Sequence, residues 1–585
     1  MSAAQQPATF LDQVTNVSDF IWGGTWNGEA VLAFPPMVIV LLGTGLWFMI
    51  GLKGMPILKL GAAFRGLFAG RKSSGAGEIS PFAALSTALS GQVGTGNLAG
   101  VATALTLGGP GAIFWMWITA LIGMALAFGE GSLAIRYREK TSDGVYRGGP
   151  MSYIMIGLGP KWTWLAVLFC LGTLFSALVT GNSIQGNAVA DGLEEMFGIE
   201  DWIGGLIVAV AVFVVIIGGI KSIGKVAERV VPFMAALYLL MAAIAILLDI
   251  QDIPEAFRRI FDGAFNPQSA AGGFLGAAMI MAIRAGVARG LFSNEAGQGS
   301  TPIAHAVAQT DDPIVQGRMA MMGTFIDTIV ICTMTALVII NTGVWNDTIT
   351  TQISLTGGDL SYVTQNDRGG FSSVATPTET LEFEAGQPTV TEPGAPLIAW
   401  HEVALRELYL DRAQTEPFTG LIDPRRGIAT TSTGEQYNAL YGPAVESGAP
   451  LTALGFQHGL PGTWGHLIVL ISVALFAVST AIAWSYYGDR CAYYLFGKSA
   501  IMPYKFVYVI MHFIGAVIPL AAVWALGDIF LGVVILPNLL ALLLLSPKVK
   551  ELKKSYFQRK PWLDNLEAHR RAVEEVKAGK RKSAH

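Results

Sequence analysis

"ALSGQVGTGNLAG", residues 88–100, is the stretch on which the fold turns. It lies inside a long apolar run, yet Gly91, Gly94, Gly96 and Gly100 are interleaved there with Gln92, Thr95 and Asn97. Each glycine costs a helix about 1 kcal/mol relative to alanine, and a buried amide or hydroxyl is costly unless it finds a partner. Close helix packing accounts for a pair such as Gly96 and Gly100. It does not account for three polar side chains, because packing asks only for small residues. The stretch reads as a helix meant to be interrupted.

The rest of the chain makes that interruption a membrane feature. Of 585 residues, 52% are hydrophobic and 14% charged, against about 25% charged in a soluble domain; the mean hydropathy is +0.50. Apolar runs near the ~20 residues that cross a bilayer as a helix recur along the chain. They fall at 35–57, 81–107, 111–135, 164–186, 202–220, 230–248, 271–308, 319–340, 464–487, 506–526 and 529–545. The run at 271–308 is too long for one crossing and must be broken or extend beyond the bilayer. It contains "RAGVARGLFSNEAGQGSTPIAH", residues 284–305, a second glycine-rich polar interruption.

The second interruption comes five spans after the first. Residues 81–248 and 271–545 then form two five-helix repeats, and an odd number of crossings turns the second upside down. Residues 35–57 are one extra N-terminal helix. The expected architecture is an all-α polytopic membrane protein of about 11 transmembrane helices with a five-plus-five inverted repeat, the leucine-transporter type, in which paired discontinuous helices form the transport site. Lysine and arginine cluster in alternate loops and after residue 545, while residues 1–34 contain neither. This bias orients the chain with its N-terminus outside and its C-terminus in the cytoplasm.

On that orientation 1–34 is an extracytoplasmic segment without a cleavable signal, 341–463 is an extracytoplasmic insertion, and 546–585 is a basic cytoplasmic tail. Within the insertion "APLIAWHEVALRELYLDRA", residues 395–413, is expected to form one amphipathic helix with Leu397, Trp400, Ala404 and Leu408 on one face.

Where a helix unwinds, free N–H groups hold a carboxylate, and free C=O groups with nearby hydroxyls ligate Na+. The first break offers Gln92, Gly94, Thr95, Gly96 and Asn97 to a substrate, and the second offers Ser293, Asn294, Glu295 and Gln298. Adjacent mid-span hydroxyls at Ser479 and Thr480, in "LFAVSTAIAWSYYG", join Thr95 as candidate Na+ ligands. "GTLFSALVTGN" adds Phe175, Ser176 and Thr180 at helical spacing, with Phe175 the substrate-contacting candidate.

Glu295 inside a span is a functional carboxylate or pairs with Arg284 or Arg289. Asp327 has no partner nearby in sequence, Glu130 is read as reaching the membrane interface, and His305 follows the second break. Cys170, Cys332 and Cys491 stand singly and suggest neither disulfide nor metal site. No phosphate-binding loop, catalytic triad or HExxH pattern is present, which speaks against an ATP-driven pump or an enzyme.

Five stretches carry a family resemblance: "VGTGNLAGVATALTLGGPGAIFWMWITALIGMA", "YRGGPMSYI", "RGLFSNEAGQGSTPIAHA", "FIDTIVICTMTALVI" and "WSYYGDRCAYYLFG". In order, over 35–345 and 445–545, the chain resembles the alanine/glycine:cation symporters, the bacterial sodium:alanine symporters. The resemblance implies Na+-driven uptake of a small neutral amino acid, alanine or glycine, across the bacterial inner membrane, with no nucleic-acid partner. It implies unwound segments at Gly94–Asn97 and Ser293–Gln298, and sodium ligation by Ser479 and Thr480. Gln298, where family members carry an apolar residue, and the insertion at 346–445 depart from the pattern. The rival readings are proton coupling through Glu295, Asp327 or His305, and an amino-acid-responsive channel or sensor that uses the insertion.

Overall fold

The computed structural model describes parts of residues 16–32, and residues 35–559 apart from 70–74, 142–143, 266–278, 356–359, 366–370, 375, 391, 393, 401–402, 463 and 518–519. The expectations about residues 1–15, 271–278 and 560–585 lie outside the described residues.

Helices occupy the apolar runs. Helix α1 is Pro36–Gly51. Helix α2, Pro81–Gln92, starts where the Ser80 hydroxyl accepts the Ala83 N–H at 3.0 Å and Pro81 fills the first turn. It ends at the glycine-rich stretch. Thr95–Asn97 makes one tight turn, and α3, Ala99–Gly108, resumes. Helix α4 is Gly111–Arg136, and α5, Thr163–Leu178, runs through a π-helical turn at Val179–Ser183 into α6, Ile184–Phe197. A separate π-helical turn, Tyr153–Leu158, precedes α5.

Helices α7, Asp201–Ile216, and α8, Gly219–Leu248, lead to α9, Ile253–Phe265. Helix α9 holds Arg258 and Arg259, and both are ion-paired with Glu255, at 2.6 and 3.1 Å. The second interrupted span comprises α10, Met279–Asn294, and α11, Thr301–His305. Helices α12, Pro313–Thr324, and α13, Thr333–Asn341, are joined by a π-helical stretch, Phe325–Cys332. After the insertion come α14, Gly448–Gly459, α15, Trp464–Phe496, α16, Ile501–Val517, and α17, Leu520–Arg559.

Among the described residues seven helical stretches are long and apolar enough to cross a membrane, and α1 and α7 are shorter apolar helices. Their outer faces expose Ile39 and Trp47 on α1, Ile207 and Val214 on α7, and Leu540 and Leu544 on α17. The polar side chains of the broken spans are buried inside. That inside-out distribution suits a lipid surround. The broken spans take central positions: α10 packs on α3 and α4, and α2 packs on α8, α12 and α15. Helix α1 lies against α4 and α17.

The insertion corrects the all-α expectation. It is β-structure: β1, Thr348–Ser354; β2, Leu360–Gln365; β3, Phe371–Val374; β4, Leu381–Glu384; β5, Gln387–Pro388; β6, Pro396–Trp400; β7, Val403–Ala404; β8, Gly420–Asp423; β9, Ile428–Thr431; β10, Gln436–Tyr437; and β11, Ala439–Val445. The sheets run β7-β6-β2-β3 and β10-β9-β8-β4-β5, over a core that includes Ile353, Phe383, Ile398, Phe418 and Ile422.

The expected helix over 395–413 is instead two strands. Leu397 pairs with Val363, and Trp400 faces Leu360 and Val403. Pro396 and the Leu-Ile-Ala-Trp run bury themselves better against neighbouring strands than along one helix face. Strands β1 and β11 pair antiparallel from Thr348↔Val445 to Ser354↔Ala439, so the insertion leaves and returns through one ribbon.

Just beyond the ribbon, the Thr106 hydroxyl donates to Glu446 O at 3.2 Å and the Thr452 hydroxyl to Leu98 O at 3.1 Å. The anchorage to the first broken span thus lies outside the β-sheets. Replacing residues 356–437 by an Asn-Gly turn, which closes the ribbon at Leu355 and Asn438, should leave the rate of the amino-acid uptake that the resemblance implies within about twofold of the intact chain. Loss of uptake in a correctly inserted variant would assign the sheets a direct role.

Candidate functional site

Both interruptions are real, and their exposed backbone is answered by side chains. At the first, Gly94 adopts φ −133° and ψ −155°, and its N–H donates to Asn97 Oδ1 at 2.9 Å. The carbonyls freed at the end of α2 meet α15. The single hydroxyl of Thr480 lies 3.1 Å from Ser90 O and 3.4 Å from both Gly91 O and Val93 O. The Ser479 hydroxyl lies 3.4 Å from Ser90 O and 2.9 Å from Phe476 O. One hydroxyl proton satisfies one acceptor at a time, so this cluster has more acceptor oxygens than donors, the chemistry that fits a bare cation.

At the second interruption Glu295, Gly297 and Gly299 have φ of 54°, 85° and 84°. Glycine takes this left-handed conformation freely, and a side chain does not. The strained Glu295 is held by its carboxylate: Trp484 Nε1 donates to it at 2.7 Å and the Ser300 hydroxyl at 2.6 Å. The Gln298 amide donates to Leu291 O at 3.0 Å, and the Gln92 amide reaches across from the first break to Asn294 O at 2.6 Å.

Sequence reading missed one carboxylate here. Glu130 does not reach the interface; it is fully buried. It accepts the N–H groups of Gly297 at 3.2 Å and Gly299 at 3.0 Å, and the amide of Asn538 on α17 at 2.6 Å. Asn538 also donates to Gly297 O at 2.8 Å and takes the Tyr153 hydroxyl on its own oxygen. The available signal was a carboxylate flanked by Gly129 and Gly131 inside an apolar span.

A small cavity lies between the breaks. Gly91, Gln92, Gly94 and Gly96 line it from the first, and Phe292, Glu295 and Gln298 from the second. Thr480 and Trp484 close it from α15, with Thr180, Gln185 and Leu531 opposite. The side-chain oxygens of Gln92, Thr95, Thr180 and Gln298 are buried there or beside it without a hydrogen-bond partner.

Five substrate candidates therefore meet in the cavity, Gln92, Gly94, Gly96, Glu295 and Gln298, together with the ion candidate Thr480. Thr95 sits behind the wall, its N–H 3.5 Å from Gln185 Oε1. Asn97, Ser293 and Asn294 brace the breaks instead of lining the cavity. Their side chains converge on the π-helical stretch, where Asp327 accepts from Asn97 at 2.6 Å and Ser293 at 2.8 Å. His305 contacts Gln316 at 2.6 Å, away from the cavity lining.

Phe175 is a correction. It lies 46% exposed on the outer face and stacks on Phe530 with ring centroids 5.1 Å apart. Ser176 and Thr180 share the buried face, and Phe175, about 100° around the helix from Ser176, lies off it.

Comparison with known proteins shows the family to which the chain is similar. The model of the sodium:alanine symporter family matches residues 21–368 and 428–569, leaving out much of the β-insertion. An uncharacterized transporter of Haemophilus influenzae is 36% identical over 544 residues, covering 93% of this chain and 95% of its own. The sodium/alanine symporter AgcS of Methanococcus maripaludis is 36% identical over 550 residues, covering 94% and 97%. The putative sodium/proton-dependent alanine carrier protein YrbD of Bacillus subtilis is 34% identical over 543 residues, covering 92% and 93%. With its interrupted spans, its buried polar cavity and a family match over most of its length, the chain belongs to the sodium:alanine symporter family of multi-pass membrane transporters.

Proposed function

We propose that this protein is a Na+-coupled symporter that carries small neutral amino acids, alanine and glycine, into a bacterial cell by alternating access. The carrying observation is the surplus of oxygen acceptors around Thr480, at the same break that lines the cavity. Na+ is bound by the carbonyls at the end of α2 with Ser479 and Thr480. The amino acid's carboxylate lies toward the N–H groups near Gly94–Gly96. Its ammonium lies toward Glu295 and the unpartnered oxygens of Gln92 and Gln298.

Small residues on the first-break wall limit the substrate side chain sterically. Ion and substrate stabilise the same arrangement of the two breaks, and each therefore raises the other's affinity. Eleven crossings in a five-plus-five inverted repeat, with the N-terminus outside and the C-terminus in the cytoplasm, complete the reading. It accords with the names of the AgcS and YrbD relatives.

In proteoliposomes, an inward Na+ gradient at fixed pH should drive accumulation of labelled alanine, and a proton gradient without Na+ should not. The second reading, proton coupling, is favoured by Glu295, whose carboxylate faces the same cavity without an ion-pair partner among its hydrogen bonds to Trp484 and Ser300. Accumulation that follows the proton gradient and ignores Na+ would transfer the coupling role to that residue.

A further inference from the structure

Asp327 is fully buried on the π-helical stretch between α12 and α13, and the transport reading leaves it without a task. Its surroundings form one continuous chain of hydrogen bonds. The Gly94 N–H donates to Asn97 Oδ1 at 2.9 Å, and Asn97 Nδ2 donates to Asp327 Oδ1 at 2.6 Å. The other carboxylate oxygen accepts the Ser293 and Thr328 hydroxyls, each at 2.8 Å. Thr328 accepts the Asn294 amide at 3.2 Å, and Asn294 Oδ1 takes the Ala296 N–H at 3.0 Å.

The chain begins on a backbone N–H freed by the first break and ends on one freed by the second. Its directions are fixed. Asn97 spends its oxygen on Gly94, so only its NH2 faces Asp327, and Asp327 must accept on both oxygens. Thr328 donates its one proton to Asp327 and is left as an acceptor for Asn294. An ionised carboxylate satisfies this polarity as it stands; a side-chain amide satisfies it only once the Ser293 and Thr328 hydroxyls have turned to accept.

We propose that Asp327 is the positioning residue that couples the two breaks. Its carboxylate is the shared acceptor through which an ion at the first break and an amino acid in the cavity strengthen each other's binding. The proposal rests on the sodium-coupled reading of the function. Asp327 touches neither ligand: it holds Asn97, which shapes the turn at Gly94, and it holds Ser293 and Thr328, which fix the end of α10. A rearrangement of either break pulls on the same two oxygens. Hydrogen-bonded networks of this kind change coupling when they are cut, even where neither ligand is touched.

The test measures coupling apart from binding. Purified full-length protein is titrated with labelled alanine in saturating Na+ and in Na+-free choline buffer, and radioactive sodium binding is measured without alanine. In the wild type Na+ should tighten alanine binding by about tenfold or more. Asp327→Asn keeps the shape but removes the charge and forces the Ser293 and Thr328 hydroxyls to turn from donors into acceptors, and should reduce that factor below about threefold. Its sodium binding without alanine should stay within about threefold of wild type. Thr328→Val cuts only the second-break side and should give an intermediate factor; it decides the matter if Asp327→Asn does not fold.

A wild-type coupling factor in Asp327→Asn or, in its absence, in Thr328→Val overturns the proposal. So does loss of sodium binding in Asp327→Asn, since Asp327 would then be an ion ligand. A wild type whose alanine affinity ignores Na+ overturns the sodium reading and the relay together. A wild type that responds beside an Asp327→Asn that responds equally overturns the relay alone.

Discussion

Glu130→Gln should lower the initial rate of labelled alanine uptake by about 100-fold or more, at equal amounts of inserted protein. Each carboxylate oxygen of Glu130 faces donors: Oε2 the Gly297 N–H, and Oε1 the Gly299 N–H and the Asn538 amide. Glutamine has the same shape, yet whichever oxygen becomes NH2 points a donor at a donor. A buried N–H left without an acceptor costs about 1–3 kcal/mol, and more where the lost acceptor was charged. That cost falls on the backbone at Gly297–Gly299, which defines the second break.

Glu130→Asp keeps the charge on a shorter arm and should retain more activity than Glu130→Gln. Uptake in reconstituted vesicles, with gel filtration to check folding, measures both. If Glu130→Gln keeps about a quarter of the wild-type rate, the cap is dispensable.

Gly94→Ala should raise the Na+ concentration for half-maximal uptake by about tenfold or abolish uptake. The backbone at Gly94 is extended and accepts any side chain, so the whole effect comes from volume. An added Cβ would stand 2.5 Å from Thr480 Oγ1, inside the candidate ion cluster. Thr480→Ala removes that oxygen and with it the clash. The double variant Gly94→Ala/Thr480→Ala should therefore recover thermal stability while its sodium dependence stays lost. Unchanged sodium dependence in Gly94→Ala would move the ion site elsewhere.

The interruptions were legible because glycine and polar side chains inside an apolar run contradict a continuous helix on grounds of propensity and solvation alone. The hydroxyl pair at Ser479 and Thr480 stood out differently, as adjacent polar side chains in the middle of an apolar helix that stays unbroken. Glu130 was not legible, because its partners are backbone N–H groups that exist only once a helix 167 positions away has opened. Trp484 hid in an aromatic run, although it is the group that holds the strained Glu295.

Phe175 was misplaced because it stands about 100° around the helix from Ser176, and only the face shared by Ser176 and Thr180 turns inward. The β-insertion misled for another reason. Leu397, Trp400, Ala404 and Leu408 fit a helical face, but the choice between helix and strand was made by partners at Leu360 and Val363, which local periodicity does not contain.

The three π-helical stretches also set how this protein can change in length. An α-helix turns about 100° per residue, and a π-helical turn is accommodated by one residue more than the regular spiral needs. Deleting a single position from Phe325–Cys332 removes that surplus and lets the helix rewind with the faces beyond it kept, whereas a second deletion has no surplus to draw on and would swing every side chain beyond it about 100° around the axis. The contact from the Thr335 hydroxyl to Asn97 O, 2.9 Å long, would then be lost. At the ribbon of β1 and β11 the opposite holds. Its ends already lie side by side, and doubling the loop between them costs only about 0.6 kcal/mol of closure entropy. The chain takes a whole folded unit at one point and gives up no more than one residue at another.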